Sequence, residues 1–137
     1  QQLRVTSMSG PKITRSDILQ ASKGMLQMQL YAVFTRPTDG LGPVMEHIEE
    51  HLAFQCELER KGIMFGAGPF WADNEEDWHG EGMVIIRAAS LADARTIAES
   101  DPMHSSGARS FTVRPWLLNE GGLTVRVTYS DGARQID

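Results

Sequence analysis

Cysteine, basic residues and long apolar runs are all scarce in this sequence of 137 residues. The single cysteine, Cys56, cannot form an internal disulfide framework or a cysteine-based zinc site. No apolar run approaches the ~20 residues that span a bilayer, and the sequence does not open with the apolar segment of a signal peptide. We therefore expect a protein without a membrane span that works in the reducing cytoplasm.

The balance of charge argues against a nucleic-acid partner. Lysine and arginine together number 13 against 18 aspartates and glutamates, and the formal net charge is -5. Proteins that bind nucleic acid electrostatically present a basic surface instead. A hydrophobic fraction of 41% is enough for the core of one small globular domain.

Local signals divide the chain into an arm, a main domain and a tail. We expect an N-terminal arm with a short helix, a main domain and a frayed C-terminal tail, at residues 1–25, 26–130 and 131–137. In the first part, Thr14 and Asp17 have the spacing of a capping box, which begins a helix, and Gly24 can end that helix. Residues 1–12 are polar and aperiodic, which predicts a mobile arm.

The main domain alternates strand-like and helix-like segments. Alternating or continuous apolar segments predict strands, and helical periodicity predicts helices. The predicted strands are 26–34, 63–67, 83–87, 110–118 and 123–129. The predicted helices are 43–61 and 91–100, and Ser90 is the predicted N-cap of the second one. The inner order βαββαβ predicts an α+β domain of ferredoxin-like topology, with one antiparallel sheet and both helices on one face.

The apolar faces of these elements predict how they pack. On the long helix, Val44, Ile48, Leu52 and Cys56 recur at intervals of four residues, which predicts the buried stripe. The sheet face without helices would remain apolar and uncovered, and such a patch usually marks an interface. We therefore expect a homodimer, a dimeric α+β barrel, in which the extra last strand could reach across to the partner.

A short histidine motif on the long helix has two interpretations. Residues 47–51 match the H-x-x-E-H pattern of inverted zinc peptidases, because they read His-Ile-Glu-Glu-His. Zinc in such a site needs a third ligand and a larger cleft than this chain can easily build. We therefore expect a solvated, glutamate-rich helix face and no metal site.

His51 and Asp101 form a candidate acid–base pair. His51 lies at the border between the apolar stripe and the polar face, where an imidazole can point into a cleft and titrate near neutrality. Asp101 ends the second helix with nothing obvious to cap, because Pro102 lacks an N–H group. Both helices lie on the same face of the predicted sheet, so the two side chains could meet. The alternative is a helix-terminating aspartate and a histidine that is partly satisfied by hydrogen bonds.

Aromatic, thioether and histidine side chains predict a pocket lining or, alternatively, ordinary core and dimer packing. They are Phe70, Trp71, Trp78, Met103, His104 and Trp116. Arg36 or Arg114 could neutralise a substrate carboxylate, and nothing in the sequence decides between them.

Several of these residues recur together in a known pattern. The pattern comprises Glu50-His51-Leu52, Gly66-Ala67-Gly68-Pro69, Gly82, Ala94, Asp101-Pro102, Gly107 and Val113-Arg114-Pro115-Trp116. From about residue 26 to residue 116 the sequence therefore resembles the YciI-like, or YCII-related, family. The resemblance implies a ferredoxin-like dimeric α+β barrel and a histidine–aspartate active-site pair, which maps onto His51 and Asp101. Relatives include a chloromuconolactone dehalogenase, and muconolactone isomerases share the barrel type. The N-terminal helix, the last strand and His104 depart from the typical pattern.

These inferences lead to one functional hypothesis and two alternatives. We expect a cofactor-independent enzyme of lyase, isomerase or dehalogenase type that acts on a small acidic or cyclic molecule. His51 would be the general base or acid and Asp101 would orient it, while Trp71, His104 and Trp116 shape the pocket. The alternatives are a non-catalytic dimeric protein that binds a small ligand, and a structural subunit without a pocket.

Overall fold

A computed structural model describes residues 10–137 of the chain, so residues 1–9 of the predicted arm lie outside the described part. The chain forms two compact units. Gln29–Leu117 forms one of them, and the segments on either side of it form the other. In chain order the elements are α1 (Arg15–Ala21), β1 (Met28–Pro37), α2 (Gly42–Glu46), α3 (Ile48–Arg60), β2 (Met64–Pro69), β3 (Gly82–Ile86), α4 (Leu91–Glu99), α5 (Pro102–Ser105), β4 (Arg109–Leu118), β5 (Val125–Val127) and β6 (Arg134–Ile136).

The central unit is an antiparallel sheet with helices, which confirms the predicted α+β class. Its strands lie in the order β2-β3-β1-β4. Strands β1 and β3 pair in antiparallel fashion with Tyr31 opposite Ile86, and β2 pairs with β3 in the same sense. The register of β2 shifts between Met64 and Gly66, and this irregularity leaves the intervening Phe65 outside the ladder. The sheet therefore presents alternate residues of each strand to its two faces.

The prediction of one continuous helix over residues 43–61 is wrong, because the backbone breaks at His47. His47 has φ -107° and ψ 10°, which separates the five-residue α2 from the 13-residue α3. The predicted stripe is also wrong beyond this break, since Leu52 is 54% exposed and Cys56 is exposed. Leu58 is the buried residue of α3. A non-helical residue changes the angular phase of the next helix, so an i+4 series that begins in α2 does not stay on one face through α3.

Small side chains let α4 pack closely on the sheet. Ala94 and Ala98 of this helix contact Tyr31, Val33 and Ile86 in the main hydrophobic core. Ser90 caps the helix, as predicted, because its side chain accepts a hydrogen bond from the Asp93 N–H group. A second buried cluster joins Val44, Met103 and Ala108, and it anchors α2 beside α5.

The flanking unit confirms one terminal prediction and corrects another. Thr14 and Asp17 form the predicted capping box at the start of α1. The predicted strand 123–129 is shorter than expected, and the tail is not frayed, because β5 pairs with β6 of the same chain. Strand pairing over such a short hairpin depends on the turn between the strands. No helix within residues 10–137 is long and apolar enough to cross a membrane.

Two leucines on α3 give a direct test of the face that this helix buries. Leu58 is 7% exposed whereas Leu52 is 54% exposed. We expect Leu58→Ala to lower the free energy of unfolding by about 2–4 kcal/mol, because it leaves a cavity in the core. Leu52→Ala should cost less than about 1 kcal/mol, since little apolar surface returns to water. Urea denaturation of both variants measures the difference, and equal costs would contradict the burial described above.

Candidate active site

A cavity of about 550 Å³ opens on the helix-bearing side of the central unit. Its volume lies within the ~300–1,000 Å³ of small-molecule sites. One wall is the exposed side of α3, and the opposite wall comes from the end of β2, from β3 and from the loop that joins these strands. The lining includes His51, Leu52, Gln55, Cys56, Met64, Trp71, Trp78, Glu81, Asp101, His104 and Arg109. Ile48, Leu52 and Cys56 of the predicted core stripe therefore line the cavity, whereas Val44 lies in the core.

His51 and Asp101 meet in this cavity. The Nδ1 atom of His51 lies 2.9 Å from Oδ2 and 3.0 Å from Oδ1 of Asp101. Their side chains are only 17% and 8% exposed. The contact forms because α3 packs against α5, which begins directly after Asp101. The short separation means that the imidazole donates its Nδ1–H to the carboxylate.

Gln55 engages the other ring nitrogen of His51. Its Nε2 atom lies 2.7 Å from Nε2 of His51, one helical turn away on α3. With Nδ1 protonated toward Asp101, the Nε2 atom of His51 accepts this hydrogen bond. Sequence reasoning missed Gln55, although the i, i+4 spacing from His51 places both side chains on one helix face. Since Gln55 and His51 both line the cavity, the Nε2 atom of His51 has a cavity-lining amide as its neighbour.

Asp101 does cap a helix, contrary to the sequence-based expectation. Its Oδ1 atom accepts the Met103 N–H group at 2.9 Å, and its backbone precedes the first turn of α5. Pro102 occupies the first helical position, where its missing N–H group costs nothing. The next N–H group is the donor that the expectation overlooked. Asp101 is 6% exposed, so this bond and the His51 bond together hold its carboxylate in one orientation.

His104 lines the cavity as a neutral imidazole with both nitrogens occupied. Its Nδ1–H donates to the carbonyl of Ala98 at 2.6 Å, and its Nε2 accepts the hydroxyl of Thr35 at 2.9 Å. The ring centre lies 4.3 Å from that of Phe111. Burial lowers the pKa of His104, while the Ala98 hydrogen bond and the charge of Asp101 oppose this shift. His104 is therefore suited to shaping the cavity rather than to accepting a substrate proton.

Arg109 is the cavity residue that sequence reasoning missed most clearly. It is 8% exposed, and its Nη1–H donates to the carbonyl of Gly80. The guanidinium carbon lies 5.9 Å from the ring centre of Trp78. Burial lowers the pKa of Arg109, and the charge of Asp101 opposes the shift. The predicted strand begins at 110, one residue too late. With 109 included, alternation puts it on the same face as Phe111.

The structure brings together only some of the residues that the sequence suggested. Trp71 and His104 line the same cavity as His51 and Asp101. Arg114 and Trp116 instead line a groove at the other sheet face, and Arg36 lines a third pocket. Alternation explains this separation. Arg114 and Trp116 are out of phase with Arg109 along β4.

The histidine motif at residues 47–51 does not place two ligands together. His47 precedes α3, and its Nδ1 atom lies 3.6 Å from a Glu50 carboxylate oxygen, whereas His51 contacts Asp101. Within residues 10–137 no group of three or more histidine, cysteine, aspartate or glutamate side chains is arranged to hold a metal ion.

Comparison with known families identifies the central unit. The sequence pattern of the YCII-related domain matches residues 29–117. The chain belongs to the YCII-related family. Among solved structures, it is similar to 5-chloro-2-hydroxyhydroquinone dehydrochlorinase from Burkholderia phenoliruptrix, determined in complex with 2,5-dihydroxybenzoquinone. The identity is 20%, the match covers 64% of this chain and 92% of the other, and the TM-score is 0.48. A search of curated proteins finds no significant match.

The environment of His104 predicts how stability depends on pH. Its folded-state pKa lies below the ordinary value of 6.5, so below that pH the unfolded chain binds a proton more readily than the folded chain. Above about pH 6.5 His104 is neutral in both states and the folded state keeps its full stability. As the pH falls from there toward the folded-state pKa, protonation of the unfolded chain lowers the free energy of unfolding. We expect the wild-type free energy of unfolding to decrease more than that of His104→Gln between about pH 7.5 and about pH 5.5. Urea titrations at both pH values test this, and an equal decrease would exclude His104 as the cause.

Proposed function

We propose that this member of the YCII-related family is a cofactor-independent enzyme that acts on a small molecule by acid–base chemistry. One observation carries the proposal. The imidazole of His51 lies 2.9 Å from the Asp101 carboxylate, within a cavity of about 550 Å³. A general base of this kind requires an imidazole with a buried carboxylate on one ring nitrogen and access to the ligand cavity at the other ring nitrogen. The reaction type would be that of a lyase, an isomerase or a dehalogenase.

The proposed mechanism follows from the hydrogen bonds of the pair. Asp101 keeps the proton on Nδ1, so the lone pair of Nε2 can take a proton from a substrate carbon or hydroxyl group. The imidazolium that forms is stabilised by the adjacent carboxylate. It can return the proton to another substrate atom, which is an isomerisation, or to a departing group, which completes an elimination. The substrate would replace the Gln55 amide, which occupies Nε2 in this structure.

The cavity walls favour a compact apolar or cyclic skeleton. Ile48, Leu52 and Met64 contribute aliphatic or thioether surface, and Trp71 and Trp78 contribute aromatic surface. Trp71 is 61% exposed and so offers a ring face that a planar molecule could cover. We therefore propose small lactones and halogenated acids as the first compounds to screen.

Substitutions in the pair test its catalytic role. On a substrate found by that screen, His51→Gln and Asp101→Asn should each lower kcat/KM by about 100- to 10,000-fold, because the first removes the base and the second removes the anion that orients it. His47→Gln is the matched control, since this histidine of the same motif is not part of the cavity lining. Substrate absorbance and released halide are the readouts. Full activity in either pair variant would refute the proposed mechanism.

The second candidate function is a non-catalytic small-ligand-binding protein. The observation that favours it is the hydrogen bond from Gln55, which satisfies the Nε2 atom of His51 without a substrate. In that case ligands would bind with similar affinity to wild type and His51→Gln, and no screened compound would turn over.

We also propose that the central unit has the ferredoxin-like arrangement and assembles as a homodimer. The strand order β2-β3-β1-β4 supports the first part. The second part is supported by a groove of about 510 Å³ that Phe65 and Trp116 help to line, each with 42% of its surface exposed. Exposed aromatic residues of this kind are common where two copies pack together. Cytoplasmic location is proposed on the cysteine content alone.

Sedimentation velocity tests the dimer. Wild-type protein at micromolar concentration should sediment as a dimer, and Phe65→Glu should sediment as a monomer because it places a charge in the proposed interface. Leu52→Glu adds the same charge to an exposed residue of the cavity wall and should remain dimeric. A monomeric wild-type protein would exclude this assembly.

A further inference from the structure

We infer that Arg109 binds an anionic group of the ligand, so that the cavity selects small carboxylates or phenolates over neutral molecules of the same shape. The inference rests on the proposed function in one respect, since it takes the cavity beside His51 as the ligand site. It assigns the anion-binding role to a residue other than Arg36 and Arg114, which lie in other pockets.

Within residues 10–137 the charge of Arg109 is buried without an ion-pair partner. The residue is 8% exposed, and within residues 10–137 no carboxylate lies at ion-pair distance from its guanidinium. The Asp101 carboxylate is already engaged by the Met103 N–H group and by His51. A buried guanidinium without an ion pair is unfavourable, because it has lost water, and the charge of Asp101 opposes only part of the resulting lowering of the Arg109 pKa. A ligand anion would supply that missing charge.

Uncharged groups hold the guanidinium of Arg109 in place. Its Nη1–H donates to the Gly80 carbonyl. Gly80 has φ +94°, and a Cβ atom there would clash with the Pro37 ring, so only glycine can present its carbonyl in this way. The Trp78 ring lies beside the guanidinium, and the indole N–H of Trp78 donates to the Glu81 carbonyl at 2.9 Å. The surroundings therefore orient Arg109 before any ligand arrives.

Most of the donors of Arg109 remain available. Within residues 10–137 its guanidinium donates one hydrogen bond, to the Gly80 carbonyl. The remaining N–H groups form a planar fork that fits the two oxygens of a carboxylate, or the single oxygen of a phenolate. Arg109 also lines the same cavity as His51, Leu52 and Trp71. A ligand could therefore place its anionic group on Arg109 and its apolar ring against these walls.

The other charges of the cavity limit the ligand to a low negative charge. Three acidic side chains line the cavity, namely Glu59, Glu81 and Asp101. They would repel a phosphate dianion more strongly than a carboxylate or phenolate, while Arg109 contributes one positive charge. A singly charged aromatic or cyclic acid is thus the class that the cavity fits.

Two probes of one shape test this inference without turnover. A trifluoromethyl-substituted benzoate and the corresponding benzamide differ in charge, and fluorine NMR titrations give the affinity of each. Wild type should bind the benzoate about tenfold more tightly or better, as expected for a charge-assisted, bidentate contact. Arg109→Gln should reduce this ratio to about one by weakening benzoate binding, whereas Arg109→Lys should retain part of the preference.

Arg114→Gln is the matched control, because it removes an arginine that lines the groove at the other sheet face and should leave the ratio unchanged. Thermal unfolding of each variant identifies any loss of fold. A folded Arg109→Gln variant that still prefers the benzoate would overturn the inference. So would wild-type protein that binds the two probes equally, a result that requires no variant to fold.

The outcome is separable from that of the proposed enzyme mechanism. His51→Gln keeps Arg109 and should retain the preference for the benzoate, whether or not the protein has catalytic activity. If His51→Gln retained full turnover on a screened substrate, the acid–base mechanism would fail and the anion site would stand. If Arg109→Gln kept the benzoate preference, the anion site would fail and the mechanism would stand.

Discussion

The carboxylate of Asp101 is the group on which the arrangement of the site depends. It ends the connection from α4, caps α5 through the Met103 N–H group, and accepts the Nδ1–H of His51 from α3. A buried carboxylate is stable only when hydrogen-bond donors replace the water that it has lost. The hydrogen bond from His51 therefore stabilises the buried Asp101 carboxylate. In the proposed mechanism the same hydrogen bond prepares His51 as a base.

The alternation of the sheet then distributes the remaining side chains between two environments. Thr35, Val84 and Arg109 face the helix-bearing side, where the cavity lies, and Ala32, Ile85 and Trp116 line the opposite groove. An arginine one position out of phase would therefore leave the site entirely. This is why Arg109 stands in the cavity while Arg114 of the same strand does not. The charge environment of the cavity is consequently set by strand register.

Much of the secondary structure is visible in the sequence because its signals are local. The capping box of Thr14 and Asp17 and the cap at Ser90 involve residues three positions apart, and both predictions are confirmed. Longer-range features are less visible. The break at His47 turns the stripe of Leu52 and Cys56 toward a cavity, and no periodicity reveals such a change of phase. The pairing of β5 with β6 escapes prediction because the second strand is only three residues long.

The amino-acid sequence by itself indicates the family and the element order of the central unit. It also indicates that His51 and Asp101 could meet. These predictions follow from motifs and from local periodicity, which involve residues that are close together in the sequence. Only the folded chain shows that 2.9 Å separates the pair, that Gln55 occupies the second nitrogen and that Arg109 shares the cavity. Those facts depend on helix phase, strand register and the positive φ of Gly80. Each of these is fixed by contacts between residues far apart in the chain.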